Sequence, residues 1–204
     1  MIRNLAKTLT VRAVKNGSVD QANSDIYIYG AELMISGAFG ILIALSISFL
    51  AGALPEGVAF ILVFAWLRRY TGGHHADTYA KCIGTFTVLI LVALSAIIFI
   101  PEDYMALLAV FFLTSSLIAT GFIAPVEHRN KPIPDDKKSV LRRKSLILCG
   151  GLSIVAVLGM IFFPKWTPSF FSMALSVFFV GMSAAYASHI NSKERAGQNE
   201  KNYR

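Results

Sequence analysis

The chain has 204 residues, of which 55% are hydrophobic and only 15% charged, and its mean hydropathy is +0.59. This composition excludes an ordinary soluble domain, which needs more charge to cover its surface. The net charge of +7 comes without an aromatic and basic nucleic-acid module. We therefore expect no nucleic-acid partner. We interpret the cations as residues of loops that orient the chain in a lipid bilayer.

Residues 1–25 predict a basic amphipathic helix on the cytoplasmic surface of the membrane. Apolar and cationic residues are interleaved there so that the apolar ones share roughly one helical face. The residues that make this pattern are Ile2, Arg3, Leu5, Lys7, Leu9, Arg12, Val14 and Lys15. A short frayed tail is the alternative interpretation.

Six apolar segments follow and predict an all-α, polytopic membrane protein with a single domain over residues 1–204. Five of them are long enough to cross a hydrocarbon core about 30 Å thick. These five segments cover residues 33–53, 83–100, 105–126, 145–163 and 170–190. The second segment in the chain, residues 58–67, covers only about half of that core, so we predict that it is short, tilted or re-entrant. Residues 54–57 predict a tight turn, and residues 191–204 a disordered cytoplasmic tail.

The positions of the Lys and Arg residues predict the orientation. With six crossings both termini lie on one side, and that side carries all of the 19 Lys and Arg residues except Lys165. Cytoplasmic loops are enriched in these residues. We therefore expect a multi-pass protein of the cell membrane with both termini in the cytoplasm. If residues 58–67 did not cross, the basic loops would be divided between the two sides.

One polar stretch, residues 68–82, interrupts the apolar chain after the second segment, and we call it the polar island. It contains two of the four histidines and Cys82, one of the two cysteines. A cysteine thiolate is a strong nucleophile, and cationic neighbours favour it. A neutral histidine can take the thiol proton and later protonate a leaving amine. The polar island therefore holds the minimum set of groups for acyl transfer from a peptide bond, at the cytoplasmic face.

The spacing between His75 and Cys82 restricts how the two can cooperate. On one straight α-helix, residues seven apart lie about 10 Å apart along the axis, too far for direct proton transfer. The partnership therefore requires the helix of Cys82 to begin after His75, with the flexible pair Gly72-Gly73 preceding it. On this ground alone His74 is also a candidate.

Other interpretations of these residues remain open. A small metal- or ligand-binding membrane transporter would use His74, His75 and Cys82 as ligands, although no recognisable zinc spacing is present. Asp77 is either a third catalytic member or a solvated surface carboxylate. Arg68 is either part of the site or only a cation flanking a helix end. The second cysteine, in the segment 145–163, is interpreted as a small buried apolar residue.

The polar island resembles the accessory gene regulator B (AgrB) family. The shared pattern is an Arg, then a Gly, then His-x6-Cys, between two apolar segments, and it falls on Arg68, Gly73, His75 and Cys82. The spacing selects His75 rather than His74. The six-segment layout is similar too, as is the sequence Ala124-Pro125 leading into Asn130-Lys131-Pro132.

The resemblance implies a membrane-embedded cysteine endopeptidase of quorum sensing. Cys82 would be the nucleophile and His75 the proton carrier. The substrate would be a propeptide with an acidic C-terminal tail, cleaved through a thioester acyl-enzyme and captured by its own Cys or Ser as a thiolactone or lactone. We expect no cofactor, no metal and a homodimer. The supporting or substrate-positioning residues would be Arg68, Gly73, Asp77 and Lys131.

Overall fold

The computed structural model describes residues 2–18, 20–72, 78–126 and 134–202. Apart from one isolated β-bridge, the regular structure within these ranges is helical, so the predicted all-α class is confirmed. Two short 3₁₀ turns, Gln21–Asn23 and Pro164–Trp166, accompany the α-helices. The α-helices are α1 (Ile2–Lys15), α2 (Ser24–Leu50), α3 (Leu54–Thr71), α4 (Tyr79–Phe99), α5 (Glu102–Ile123), α6 (Asp135–Phe162) and α7 (Thr167–Asn202).

Five of these helices, α2, α4, α5, α6 and α7, are long and apolar enough to cross a membrane. Large apolar side chains project from the bundle, and Phe99 and Phe122 are 81% and 84% exposed. A soluble surface rarely carries such extended apolar area, whereas lipid accommodates it. The chain is therefore a multi-pass membrane protein, as its composition predicts.

The predicted short segment corresponds to α3, which has 18 residues and is the shortest of the six long helices that follow α1. Its length of about 27 Å exceeds the length expected for residues 58–67 alone, because α3 already begins at Leu54. The predicted tight turn at 54–57 is therefore wrong. Pro55 occupies the first helical turn, where its missing N–H has no intrahelical partner to lose. The chain instead reverses shortly before α3, at Ala51 and Gly52. The backbone φ of Gly52 is +68°.

Serine hydroxyls of α7 bind α3 into the bundle. Ser169 Oγ donates to Glu56 Oε1 at 3.1 Å, and Ser172 Oγ donates to the Glu56 carbonyl at 2.7 Å. Ser176 Oγ donates to the Phe60 carbonyl at 3.0 Å. These serines are three and four residues apart, so they lie on one face of α7. Within a bilayer such contacts fix one helix against the next, each contributing about 0.6–2 kcal/mol.

An aromatic cluster continues this packing toward the polar island. Phe60 and Phe64 of α3 contact Phe86 of α4, and Phe60 also contacts Phe179 of α7, with ring centroids 5.1–6.3 Å apart. Phe60 is fully buried. The two helices that carry the ends of the polar island, α3 and α4, are therefore attached to one packed core.

The amphipathic segment at the N-terminus forms α1, which packs on α2. Its buried residues are the small Ala6 and Thr10, whereas Leu5 and Leu9 remain about half exposed. An exposed apolar strip beside cations is what a helix lying on a leaflet needs. The placement of α1 on the cytoplasmic leaflet stays a prediction.

The helices extend further into polar sequence than predicted. Helix α7 continues to Asn202, so the predicted disordered tail is helical through that residue. Helix α6 begins at Asp135, well before the apolar segment predicted from residue 145. Both extensions are rich in Lys, Arg, Glu or Ala, which are good helix formers, and a helix already started by an apolar segment propagates at little cost.

Candidate functional site

Cys82 lies in the first turn of α4. Thr78 caps this helix: its side chain accepts a hydrogen bond from Lys81 N at 3.3 Å, and its carbonyl accepts one from Cys82 N at 3.1 Å. Cys82 is exposed and free, whereas Cys149 on α6 is fully buried. The helix thus begins after His75, as a His75–Cys82 partnership requires, and only one of the two thiols is accessible to a substrate.

Arg68 lies in the last turn of α3 and is half-buried. Its Nη1 donates to Ser183 Oγ at 2.9 Å, and its guanidinium carbon lies 5.5 Å from the centroid of the Phe64 ring. The structure therefore holds the Arg68 cation at the end of α3 with polar and aromatic contacts.

A backbone connection brings the end of α3 next to the segment that follows α5. Val126 N donates to the Thr71 carbonyl at 3.0 Å, and Gly72 and Val126 form an isolated β-bridge. Gly72 has φ +72°, and a Cβ at this position would lie 2.5 Å from the Val126 carbonyl oxygen. Only glycine suits this backbone conformation and this close approach.

The other predicted site residues lie outside the described residues: they are Gly73, His75, Asp77 and Lys131, together with the alternative ligand His74. Their roles stay predictions. The structure does describe both ends of the segment that carries the histidines, Gly72 and Thr78. The segment with Lys131 continues from Val126, which is paired with Gly72. Among the described residues there is no group of three or more His, Cys, Asp or Glu that could hold a metal ion.

One polar cluster at the first turn of α4 is not predicted from the sequence. Tyr79 OH donates to Glu32 Oε2 at 2.7 Å, and Arg3 Nε lies 3.8 Å from Glu32 Oε1. Glu32 is only 8% exposed. A cleft of about 600 Å³ is lined by these three residues with Ile2 and Ala80. A carboxylate in a membrane helix is a functional signal. Glu32 directly precedes the apolar segment 33–53, and the structure shows that it belongs to the same helix, α2.

Comparisons with known proteins point to one family. A sequence model described as accessory gene regulator B matches residues 4–187. A putative AgrB-like protein of Clostridium perfringens (strain SM101) is 24% identical over 162 residues, which are 77% of this chain and 73% of that protein. A putative AgrB-like protein of Listeria innocua is 30% identical over 122 residues, 58% of either chain.

No solved structure matches the chain. The family model nevertheless extends from α1 into α7, through the polar island, four of the candidate membrane helices and most of the fifth. The chain belongs to the accessory gene regulator B family, which is linked to the processing of autoinducer peptides in quorum sensing.

Proposed function

We propose that this protein is a cysteine endopeptidase that removes the C-terminal tail of an autoinducer propeptide and promotes closure of the remaining peptide into a macrocycle. The observation that carries the proposal is the position of Cys82, an exposed thiol in the first turn of α4. Arg68 is held in the last turn of α3, the helix that precedes it. Family membership supports the substrate class.

In the first step His75 accepts the proton of the Cys82 thiol, and the sulfur attacks the carbonyl carbon at the junction with the tail. The C–N bond breaks, and His75 returns the proton to the departing amine. The tail leaves with a new N-terminus, while the rest of the peptide stays on Cys82 as a thioester.

In the second step a thiol or hydroxyl of the bound peptide attacks the thioester carbonyl. Its proton passes through His75 to the sulfur of Cys82, which leaves as the thiol. The product is a thiolactone or a lactone. One thioester replaces another when the attacking group is a thiol, so the reaction needs no cofactor. Water must be excluded from the acyl-enzyme, and the membrane interface favours this.

Exposed cations at the start of α6 support an acidic tail as the leaving segment. Lys137, Arg142, Arg143 and Lys144 are exposed there. A field of one sign attracts and orients an oppositely charged peptide. Gly73, Asp77 and Lys131 complete the proposed supporting residues. The proposal also includes a homodimer and a site at the cytoplasmic face, both of which rest on the family resemblance and the distribution of cations.

The direct test is cleavage of a candidate propeptide by protein reconstituted in lipid. We expect Cys82→Ala and His75→Ala to abolish cleavage while the folded protein remains in the membrane. The matched control is Cys149→Ala, which removes the buried thiol and should leave cleavage intact. Cleavage by the Cys82→Ala protein would refute the proposal. Stoichiometric metal in wild-type protein that does not cleave would favour the metal-binding transporter.

A further inference from the structure

We propose that Glu32 and Tyr79 form a positioning pair that holds the first turn of α4, and with it Cys82, against α2. This inference rests on the proposed function, because it gives the pair its role through the nucleophile. Neither residue belongs to the Arg, Gly and His-x6-Cys pattern. Their contact joins residues 47 positions apart in the chain.

Tyr79 is well placed to fix the nucleophile. It is the first residue of α4, and Cys82 follows three positions later, so both lie on neighbouring positions of one turn. The first turn of a helix frays readily. Here the Thr78 cap holds it from within the helix, whereas the 2.7 Å bond from Tyr79 OH to Glu32 Oε2 attaches it to another helix.

Glu32 provides a firm attachment point. It is more than nine-tenths buried, and it begins a buried stripe along α2 that continues at every fourth residue through Ser36, Gly40 and Ala44. Among the described residues its Oε1 has no hydrogen-bond partner, and its nearest cation is Arg3 at 3.8 Å. A buried carboxylate with one unmet oxygen is costly, so a role in holding α4 gives a physical reason for its presence.

Together with the Gly72–Val126 bridge, the pair attaches the described residues on both sides of the segment 73–77 to the bundle. The segment leaves α3 at Gly72, which is bridged to Val126, and enters α4 at Thr78, beside Tyr79. Each end is thus attached to a different part of the bundle: one to the segment after α5, the other to α2. Loss of the second anchor would let the thiol move relative to Arg68 and the segment that carries His75, and small misplacements of reacting groups slow catalysis strongly.

The test removes a single hydroxyl by Tyr79→Phe in the reconstituted protein, with the propeptide as substrate. We expect kcat to fall by about tenfold or more with KM within about twofold, because the change affects alignment rather than peptide binding. Glu32→Leu should show the same loss. Glu32→Gln keeps an oxygen that can accept a hydrogen bond from Tyr79 OH, so it should retain part of the wild-type kcat. The control is Tyr104→Phe, an exposed tyrosine at the start of α5.

Hydrogen exchange of the amides of Ala80–Ile83 provides a readout that needs no cleavage. We expect faster exchange in Tyr79→Phe and wild-type exchange in Tyr104→Phe. An unchanged kcat in Tyr79→Phe overturns the inference, whatever the exchange shows. So does a raised KM at constant kcat. If wild-type protein cleaves no propeptide, the proposed function fails, and unchanged exchange in Tyr79→Phe would then reject the anchoring separately.

Discussion

At the scale of single residues, the site is built around a cation held by specific contacts. The Arg68 guanidinium donates to Ser183 on α7 and lies over the Phe64 ring. A helix-flanking cation that only fixes orientation would need none of these contacts. Its neighbour Arg69 is exposed and fits that simpler role.

Substitutions of Arg68 test whether cleavage needs the planar guanidinium group or only a positive charge at this position. We expect Arg68→Lys to lower kcat for propeptide cleavage nearly as much as Arg68→Ala, by about tenfold or more, because an ammonium group cannot keep the planar guanidinium contacts with both Ser183 and Phe64. Arg69→Ala is the matched control and should stay within about twofold of wild type. Full activity in Arg68→Lys would show that only positive charge is needed there.

The sequence indicates Cys82 as a candidate nucleophile, but it does not predict the contact between Glu32 and Tyr79. A cysteine beside histidines in a polar interruption of an apolar chain is a local signal. The Tyr79–Glu32 contact depends on how α2 and α4 pack, and nothing in the spacing of either segment specifies that packing. Glu32 alone carries a local signal, as a carboxylate directly before the apolar segment 33–53.

At the scale of elements, the end of α3 is joined to the segment after α5 by the pairing of Gly72 with Val126. The same kinds of residue, Pro and Gly, mark both turns and helix starts. For that reason the sequence favours a chain reversal at Pro55, whereas the structure places this residue in the first helical turn of α3. The bridge from Gly72 to Val126 joins chain positions more than fifty residues apart, so it was not predictable from local pattern.

Substitution of Gly72 tests this join. Gly72→Ala would place a Cβ 2.5 Å from the Val126 carbonyl oxygen at a backbone φ of +72°. We expect a loss of about 1–3 kcal/mol in stability, visible as a lower unfolding temperature in detergent, together with reduced cleavage. Gly150→Ala, on α6 with no atom within 4 Å of the new methyl group, is the control and should be neutral or slightly stabilising. Equal behaviour of the two variants would argue against the bridge.

At the scale of the whole molecule, composition and the distribution of charge carry most of the information. Long apolar segments identify a multi-pass helical protein, and the five candidate membrane helices agree with it. Helix ends were less predictable, because helices such as α6 and α7 continue into charged sequence that hydropathy assigns to loops.

The orientation can be measured with thiol labelling in intact cells. In a Cys149→Ala background we expect Cys82 to resist a membrane-impermeant maleimide until the cells are permeabilised, because the positive-inside rule puts it in the cytoplasm. A Lys165→Cys variant in a Cys82→Ala and Cys149→Ala background should be labelled from outside, since Lys165 lies at the exposed turn before α7. Labelling of Cys82 in intact cells would reverse the proposed orientation.

The central claim, thioester chemistry at Cys82, is tested most directly by intact mass spectrometry of the purified protein after incubation with its candidate propeptide. We predict an adduct equal in mass to the propeptide without its tail, removed by hydroxylamine, absent in Cys82→Ala and retained in Cys149→Ala. Folded protein that releases the tail without this adduct, or that forms the adduct in Cys82→Ala, would contradict the account.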